Sequence, residues 1–154
     1  MTRALRRHQA ALRRAVFARD HGVCGCRLPD GTICGLDTEA LRSAYRVAKA
    51  HVFGAWRYEI TQAVMRYEPT AQCIAISQRH KGQIKAIEDR LRWLGFEPGR
   101  SFWECHHDPS VEEGTDGTVE SATTACIPCH RRLSAEHAAR RARRPAKRVA
   151  RRAA

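Results

Sequence analysis

Two thiols separated by Ile127 and Pro128, with an imidazole directly after the second, close a run that opens on adjacent histidines. In order the run reads Trp103, Glu104, Cys105, His106 and His107, then Cys126, Ile127, Pro128, Cys129 and His130. A Cys-x-x-Cys pair is half of a tetrahedral zinc site, since thiolates at that spacing can share one ion at ~2.3 Å from each sulfur. The other half must come from a distant segment, which the ion then fixes in space. Cys24, Cys26 and Cys34 cluster early in the chain and are the available donors. His130 stays free to face a second ion together with the earlier histidines.

With 154 residues and 17.4 kDa, the chain supports one domain with a small core, for which a metal staple is a large addition. Its seven cysteines are odd in number and grouped, which fits zinc better than a disulfide framework. No apolar run near Met1 resembles a signal peptide, and none reaches the length of a membrane span, so the expected setting is reduced and cytoplasmic. A formal charge of +12 and a pI near 10.2 favour a polyanionic partner, because Arg and Lys that neutralise phosphates drive sequence-independent nucleic-acid affinity. Arg outnumbers Lys heavily, which suits bidentate phosphate contacts.

Along the chain, residues 1–18 read as a basic helix: Leu5, Leu12, Ala15 and Val16 recur at helical spacing among Arg3, Arg6, Arg7, Arg13 and Arg14. Cys24-Gly25-Cys26 reads as a knuckle, and Pro29-Asp30-Gly31 as a turn between short strands leading to Cys34. Asp37 or Thr38 can cap a helix from Glu39 whose inner face carries Leu41, Tyr45, Ala48 and Val52. Helix should continue to Tyr67 through a segment rich in Trp56, Tyr58, Ile60, Val64 and Met65, whose aromatics are expected as core. Another should run from about Gln83 to Leu94, with Gly82 weakening anything longer and Gly95 ending it. Ser101 to Cys105 and Val119 to Ala125 read as strands around a loop at 108–118, and Cys129 to His137 as a helix. Residues 139–154 form an Arg-rich tail, expected to be disordered until it meets DNA, RNA or an acidic protein.

Trp103-Glu104-Cys105-His106-His107, the Glu113-Gly114 loop and Cys126 to His130 together resemble the HNH endonuclease family, in its zinc-stapled, four-cysteine branch. Arg19-Asp20-His21-Gly22-Val23-Cys24 and Cys34-Gly35-Leu36-Asp37-Thr38 resemble that branch's first knuckle. Leu94-Gly95-Phe96 and Pro98-Gly99-Arg100 resemble the lead-in to its site strand. The likeness spans residues 19–38 and 88–137. It implies an α+β fold: a small ββα-metal core over residues 19–138 with a four-cysteine zinc site, a helical insertion at about 43–85, and the basic ends at 1–18 and 139–154.

Carried over by position, His107 is the general base and His106 the metal ligand before it, with His130 the second ligand of a catalytic divalent ion (Mg²⁺, Mn²⁺ or Ni²⁺). Ser121 occupies the slot where the family usually has Asn, a residue that occurs nowhere in this chain. Its shorter hydroxyl would orient the base only partly, and Asp108 or Asp116 could do so instead. Cys34, Cys126 and Cys129 are implied zinc ligands, with Cys24 as the fourth and Cys26 as its possible substitute. Cys73 and Cys105 are expected to be buried small side chains. His8, His21, His51, His80 and His137 are expected to be solvated or incidental.

Arg131 and Arg132, on the helix after His130, are candidate phosphate contacts. The implied activity is divalent-metal-dependent hydrolysis of phosphodiesters in duplex DNA, as in restriction, mobile-element homing or phage packaging, with a partner protein possible for specificity. A non-catalytic zinc-dependent DNA-binding or assembly module is the alternative. An RNA-associated zinc protein would use the tail but would leave the His106-His107 pair unexplained.

Overall fold

The computed structural model describes residues 3–107 and 118–143. Its elements are α1 (Arg3–Arg19), α2 (Thr38–Met65), α3 (Thr70–Trp93), β1 (Trp103–His107), β2 (Ala122–Cys126) and α4 (Ile127–Arg143). The chain is α+β, with one two-stranded sheet among the described residues. No described helix is long and apolar enough to cross a membrane.

The basic helix forms as its periodicity predicts, and Val16 on its apolar stripe is fully buried. Phe17 stacks on Trp103 of β1 with ring centroids 4.5 Å apart. Beyond Arg19 the chain reverses through His21 and Gly22, both at positive φ. A Cβ at Gly22 would lie 2.8 Å from the Phe17 ring, so both backbone conformation and space require glycine there.

Residues 23–37 form an irregular hairpin instead of the expected pair of strands. Only isolated bridges join Val23 to Asp37 and Arg27 to Ile33. The reason lies in the turn and the cysteines: Asp30 accepts from the Thr32 amide and hydroxyl at 3.0 and 2.7 Å, and the short arms are bent so that their thiols turn inward. Gly25 donates to the Thr124 carbonyl at 3.0 Å, laying this knuckle along β2.

Asp37 is the cap of α2, its Oδ1 accepting from the Glu39 and Ala40 amides at 3.0 and 2.8 Å, while Thr38 turns its hydroxyl to the Gly22 carbonyl at 2.7 Å. α2 has 28 residues and packs antiparallel against α3, of 24. α3 begins at Thr70, well before the expected Gln83, and runs through Gly82. Glycine costs a helix about 1 kcal/mol, which packing along α2 outweighs; the Lys49–Glu88 pair at 2.9 Å, the Trp56 to Ser77 hydrogen bond at 3.3 Å and the Arg79–Glu59 pair tie the two together.

The inner face with Leu41, Tyr45, Ala48 and Val52 is half-buried as expected, but Tyr58, Val64 and Met65 are exposed, Met65 at 73%. A two-helix layer gives α2 one neighbour, so aromatic and aliphatic residues on its outer side have nothing to pack against. Leu94, expected inward, is the exposed C-cap of α3.

β1 and β2 are antiparallel, pairing Trp103 with Cys126 and His107 with Ala122. Relative to expectation each strand sits one to three residues further along the chain. α4 starts directly at Ile127 and continues to Arg143, so Arg140, Arg141 and Arg143 are helical and not part of a tail. The remaining expectations for the tail, at 144–154, and for the Asp108 to Gly117 loop, including Glu113, Gly114 and Asp116, fall outside the described residues. The core joins Cys24, Cys26, Cys126 and Cys129 to Leu91, Phe96, Phe102 and Ala125, with Phe96 and Phe102 rings 5.2 Å apart. Half of this cluster is sulfur, so apolar burial alone holds it weakly.

Asp20 is the polar tie between α1 and the sheet. Its Oδ2 accepts from the Thr124 amide at 2.7 Å and its Oδ1 from the Arg19 guanidinium at 2.7 Å. Burial disfavours its charge, but these donors outweigh that and hold the carboxyl below its ordinary value. Asp20→Ala is expected to cost roughly 1–3 kcal/mol, the range for stranding a buried donor, measured by denaturant unfolding of the metal-loaded protein. A depressed folded value places this stabilisation above the unfolded pKa of about 3.9 and removes it as pH falls through the folded one. The deficit should therefore be equal at pH 7 and pH 5; a deficit that halves over that interval would contradict the assignment.

Candidate metal centres

The Sγ atoms of Cys24, Cys34, Cys126 and Cys129 all lie within 4.8 Å of one another, and among the described residues this is the one such group of three or more ligand atoms. Cys34 and Cys126 are 3.9 Å apart, close to the separation of roughly 3.8 Å between two sulfurs each ~2.3 Å from a tetrahedral ion. All four are free thiols, three of them buried. The donor set and spacing fit a structural ion such as zinc.

Each ligand is placed by local backbone. Cys126 ends β2 and Cys129 lies in the first turn of α4, so the strand-to-helix junction fixes the pair. Cys24 is set by hydrogen bonds with Leu36 and Gly35, 2.9 and 3.0 Å, and its sulfur accepts from the Cys126 amide at 3.3 Å. Cys26, two residues on, points to the same side of the knuckle and is buried beside the quartet without joining it. The geometry thus places Cys24, the favoured fourth donor, in the quartet and leaves its possible substitute Cys26 outside it.

As free thiols in a dry site, the cysteines share protons. Cys24 is pushed toward the thiolate because Cys126 and Cys26 donate to it, and those two are raised by the same contact and by burial. Burial pushes the Cys129 thiol up to about 11. A divalent cation displaces these protons, so affinity rises with pH.

β1 alternates, and so divides the adjacent histidines. His106 is 6% exposed and turns toward α4, where its ring meets His130 edge-on with centroids 5.9 Å apart. His107 turns the other way, its Nε2 3.8 Å from the Cys105 sulfur. Burial raises the Cys105 thiol, which keeps it neutral beside the imidazole. His107 Nδ1 is buried without a hydrogen-bond partner. Ser121, next to the Ala122 that pairs with His107, donates to the Thr118 carbonyl at 3.1 Å and so secures the approach to β2.

His137 is buried, not solvated. It is 7% exposed, and its ring lies 5.3 Å from that of His106. The signal in the sequence was its spacing: seven residues beyond His130, about two helical turns, places both on one face of α4. His80 is also buried, with Nε2 3.3 Å from Glu59, and belongs to the α2–α3 contact. His8, His21 and His51 are exposed as expected.

Arg131 donates to the Gly95 carbonyl at 3.1 Å. Arg132 donates to Glu136 and to the Arg27 carbonyl at 2.6 and 2.5 Å. Both therefore brace α4 against the end of α3 and the knuckle. Cys73 and Cys105 are half-buried and outside the quartet. A shallow groove on the α1 flank is lined by Arg6, Gln9, Arg13, Arg14 and Trp103. It lies on the His107 side of β1, with the Arg13 guanidinium 5.4 Å from the Trp103 ring centre.

No protein-family model, curated protein or solved structure matches the chain.

Structural zinc contributes about 10–16 kcal/mol of apparent binding free energy, comparable to the whole stability of a small domain. Chelation should accordingly unfold the sheet and knuckle, seen as lost near-ultraviolet dichroism. Ser at Cys24, Cys34, Cys126 or Cys129 should abolish stoichiometric zinc, whereas Cys26→Ser should retain it; zinc loss in Cys26→Ser alone would reverse the choice of fourth ligand.

Proposed function

We propose that the chain is a divalent-metal-dependent DNA endonuclease of the HNH type, with β1, β2 and α4 as its ββα-metal core and a zinc ion in the Cys24, Cys34, Cys126, Cys129 site. The observation that carries this reading is the meeting of His106 and His130 across the strand-to-helix junction that the cysteines hold. Imidazoles from β1 and α4 converge there beside a strand whose last residue is His107.

His106 and His130 would hold the catalytic ion. If bound there, such an ion would supply stabilisation of the charge that develops on the phosphate and the departing 3′ oxygen. A phosphodiester laid across the end of β1 would meet His106 on one flank and His107 on the other. His107 is the base that takes the proton of the attacking water, and a neutral imidazole suits that duty near physiological pH. The basic groove along α1, on the His107 side, receives the neighbouring phosphates, with a net charge of +12 supplying long-range attraction to duplex DNA. Phosphate contacts position a duplex without reading its bases, which leaves sequence choice to a partner protein.

One observation favours the alternative of a non-catalytic zinc-dependent DNA-binding or assembly module. Ser121 bonds Thr118, so the residue in the Asn slot does not hold His107.

Supercoiled plasmid incubated with the zinc-loaded protein and Mg²⁺, Mn²⁺ or Ni²⁺ distinguishes the two. Nicking that requires the added ion, stops with EDTA and falls about 10²–10⁴-fold in His107→Ala is the expected result. Binding without nicking under every ion, or equal cutting by the alanine variant, would favour the module.

A further inference from the structure

We infer that the outer side of α2 is the surface on which two copies of this chain pair, antiparallel, into a twofold dimer. The inference stands without the nuclease reading.

The side of α2 turned away from α3 carries an apolar stripe. At 3.6 residues per turn, Val47, His51, Gly54, Tyr58, Thr61 and Met65 fall within about 80° of the helix circumference. Trp56, which donates to Ser77 of α3 at 3.3 Å, marks the opposite side. Val47, Tyr58 and Met65 are 52%, 67% and 73% exposed, and the flanking Ala50 and Ala55 are small and uncharged. Single exposed apolar side chains are ordinary, whereas a continuous run of them marks a surface that meets a partner. Little charge opposes its burial. Lys49 and Glu59 turn to α3, where they pair with Glu88 and Arg79. Thr61 donates its hydroxyl to the Arg57 carbonyl at 2.8 Å and so needs no outside partner. Arg57, on the flank, is long enough to keep its head in water.

The stripe is complementary to itself. Its positions alternate by four and three residues and so read the same from either end. A second α2 laid antiparallel, with the twofold axis level with Trp56, sets Val47 against the partner's Met65, His51 against the partner's Thr61, and Gly54 against the partner's Tyr58. The last pair is a size match. Glycine weakens a helix interior, and a Cβ at Gly54 would meet nothing within 4 Å, so no neighbour in the described chain calls for it. A tyrosine ring arriving from a second helix does, and twofold symmetry makes the match occur twice.

Charge selects the direction. The arginines of α1 and α4 lie with the sheet and knuckle at the end where α2 begins, in a chain of net charge +12. Parallel pairing would set two such bodies side by side. Antiparallel pairing separates them by the length of α2, about 42 Å for 28 residues, which is several times the ~10 Å screening length at 0.1 M salt. Area then sets the strength. Half the lateral surface of a cylinder about 12 Å across and 27 Å long is roughly 500 Å², so two copies cover about 1,000 Å², the lower bound of a specific interface. A reversible dimer with micromolar affinity is expected.

Sedimentation velocity of the full-length, zinc-loaded protein from about 1 to 200 μM, a range that brackets such an affinity, should show monomer passing to dimer. Gly54→Glu and Val47→Glu should each weaken the dimer at least about a hundredfold, since each would bury two unpaired carboxylates. Val47→Glu combined with Met65→Lys should recover it, because the antiparallel register sets the two new charges together. Ile74→Glu, at a position exposed on α3 and off the stripe, should leave it unchanged. Zinc content and helical dichroism verify each fold, and Gly54→Glu should melt no lower than wild type when both are monomers; a position that serves only the fold would lower the melting temperature. Amide hydrogen exchange of the wild type at the two ends of the concentration range should slow over residues 47–65 and not over 70–93, which decides the matter if a variant fails to fold. A wild type that stays monomeric leaves the stripe to another protein and overturns the inference. So do a dimer indifferent to Gly54→Glu and Val47→Glu, a dimer lost in Ile74→Glu, or a double variant that does not recover. Dimerisation without plasmid nicking would sink the nuclease reading and leave this one standing, whereas nicking by a strictly monomeric protein would do the reverse.

Discussion

Four sulfurs gathered within 4.8 Å join parts of the chain that have little else in common. The knuckle at residues 23–37 has isolated bridges in place of strands, and the sheet beside it has only two. Neither buries enough apolar surface to offset the conformational entropy of ordering it. A metal held by the four sulfurs would join them into one unit, against which Phe96, Phe102 and Leu91 pack from the end of α3 and the approach to β1. Everything that positions the histidines follows from that joint, because it sets the start of α4 against the end of β2.

Around the joint, single polar contacts do what a larger core would do elsewhere. Asp20 secures the first helix to β2, Arg132 clips α4 to the knuckle, and Arg131 clips it to the end of α3. Near the histidines the division of labour comes from strand alternation. β1 sends His106 to the α4 side and His107 to the α1 side, so a histidine-bearing face and a basic face meet at the strand's last residue.

Much of this was legible in the chain. The helical stripe of α1, the cap at Asp37 and the Cys126–Cys129 half-site at the strand-to-helix junction all follow from local patterns and ligand spacing, while Cys34 and Cys24 were implied by the family resemblance. The long α3 was not, because the penalty at Gly82 is local while the packing that overrides it comes from α2. The outward Tyr58 was misplaced for a related reason: apolar periodicity tells which faces could be buried, and only the number of neighbours tells which are. His137 was overlooked because it stands apart from any motif; its heptad spacing from His130 had meaning only once α4 was known to extend that far with one face toward β1.

The sequence by itself determined the donors and their chemistry: thiols at metal-binding spacing, a histidine pair, and an excess of arginine over lysine. Tertiary structure decided between Cys24 and Cys26, drew Arg131 and Arg132 into internal bonds, and brought His137 to His106. The physical reason is range. Spacing along the chain fixes which atoms a single turn or strand can present together, whereas the meeting of residues 24 and 126, or 106 and 137, depends on how separate elements pack.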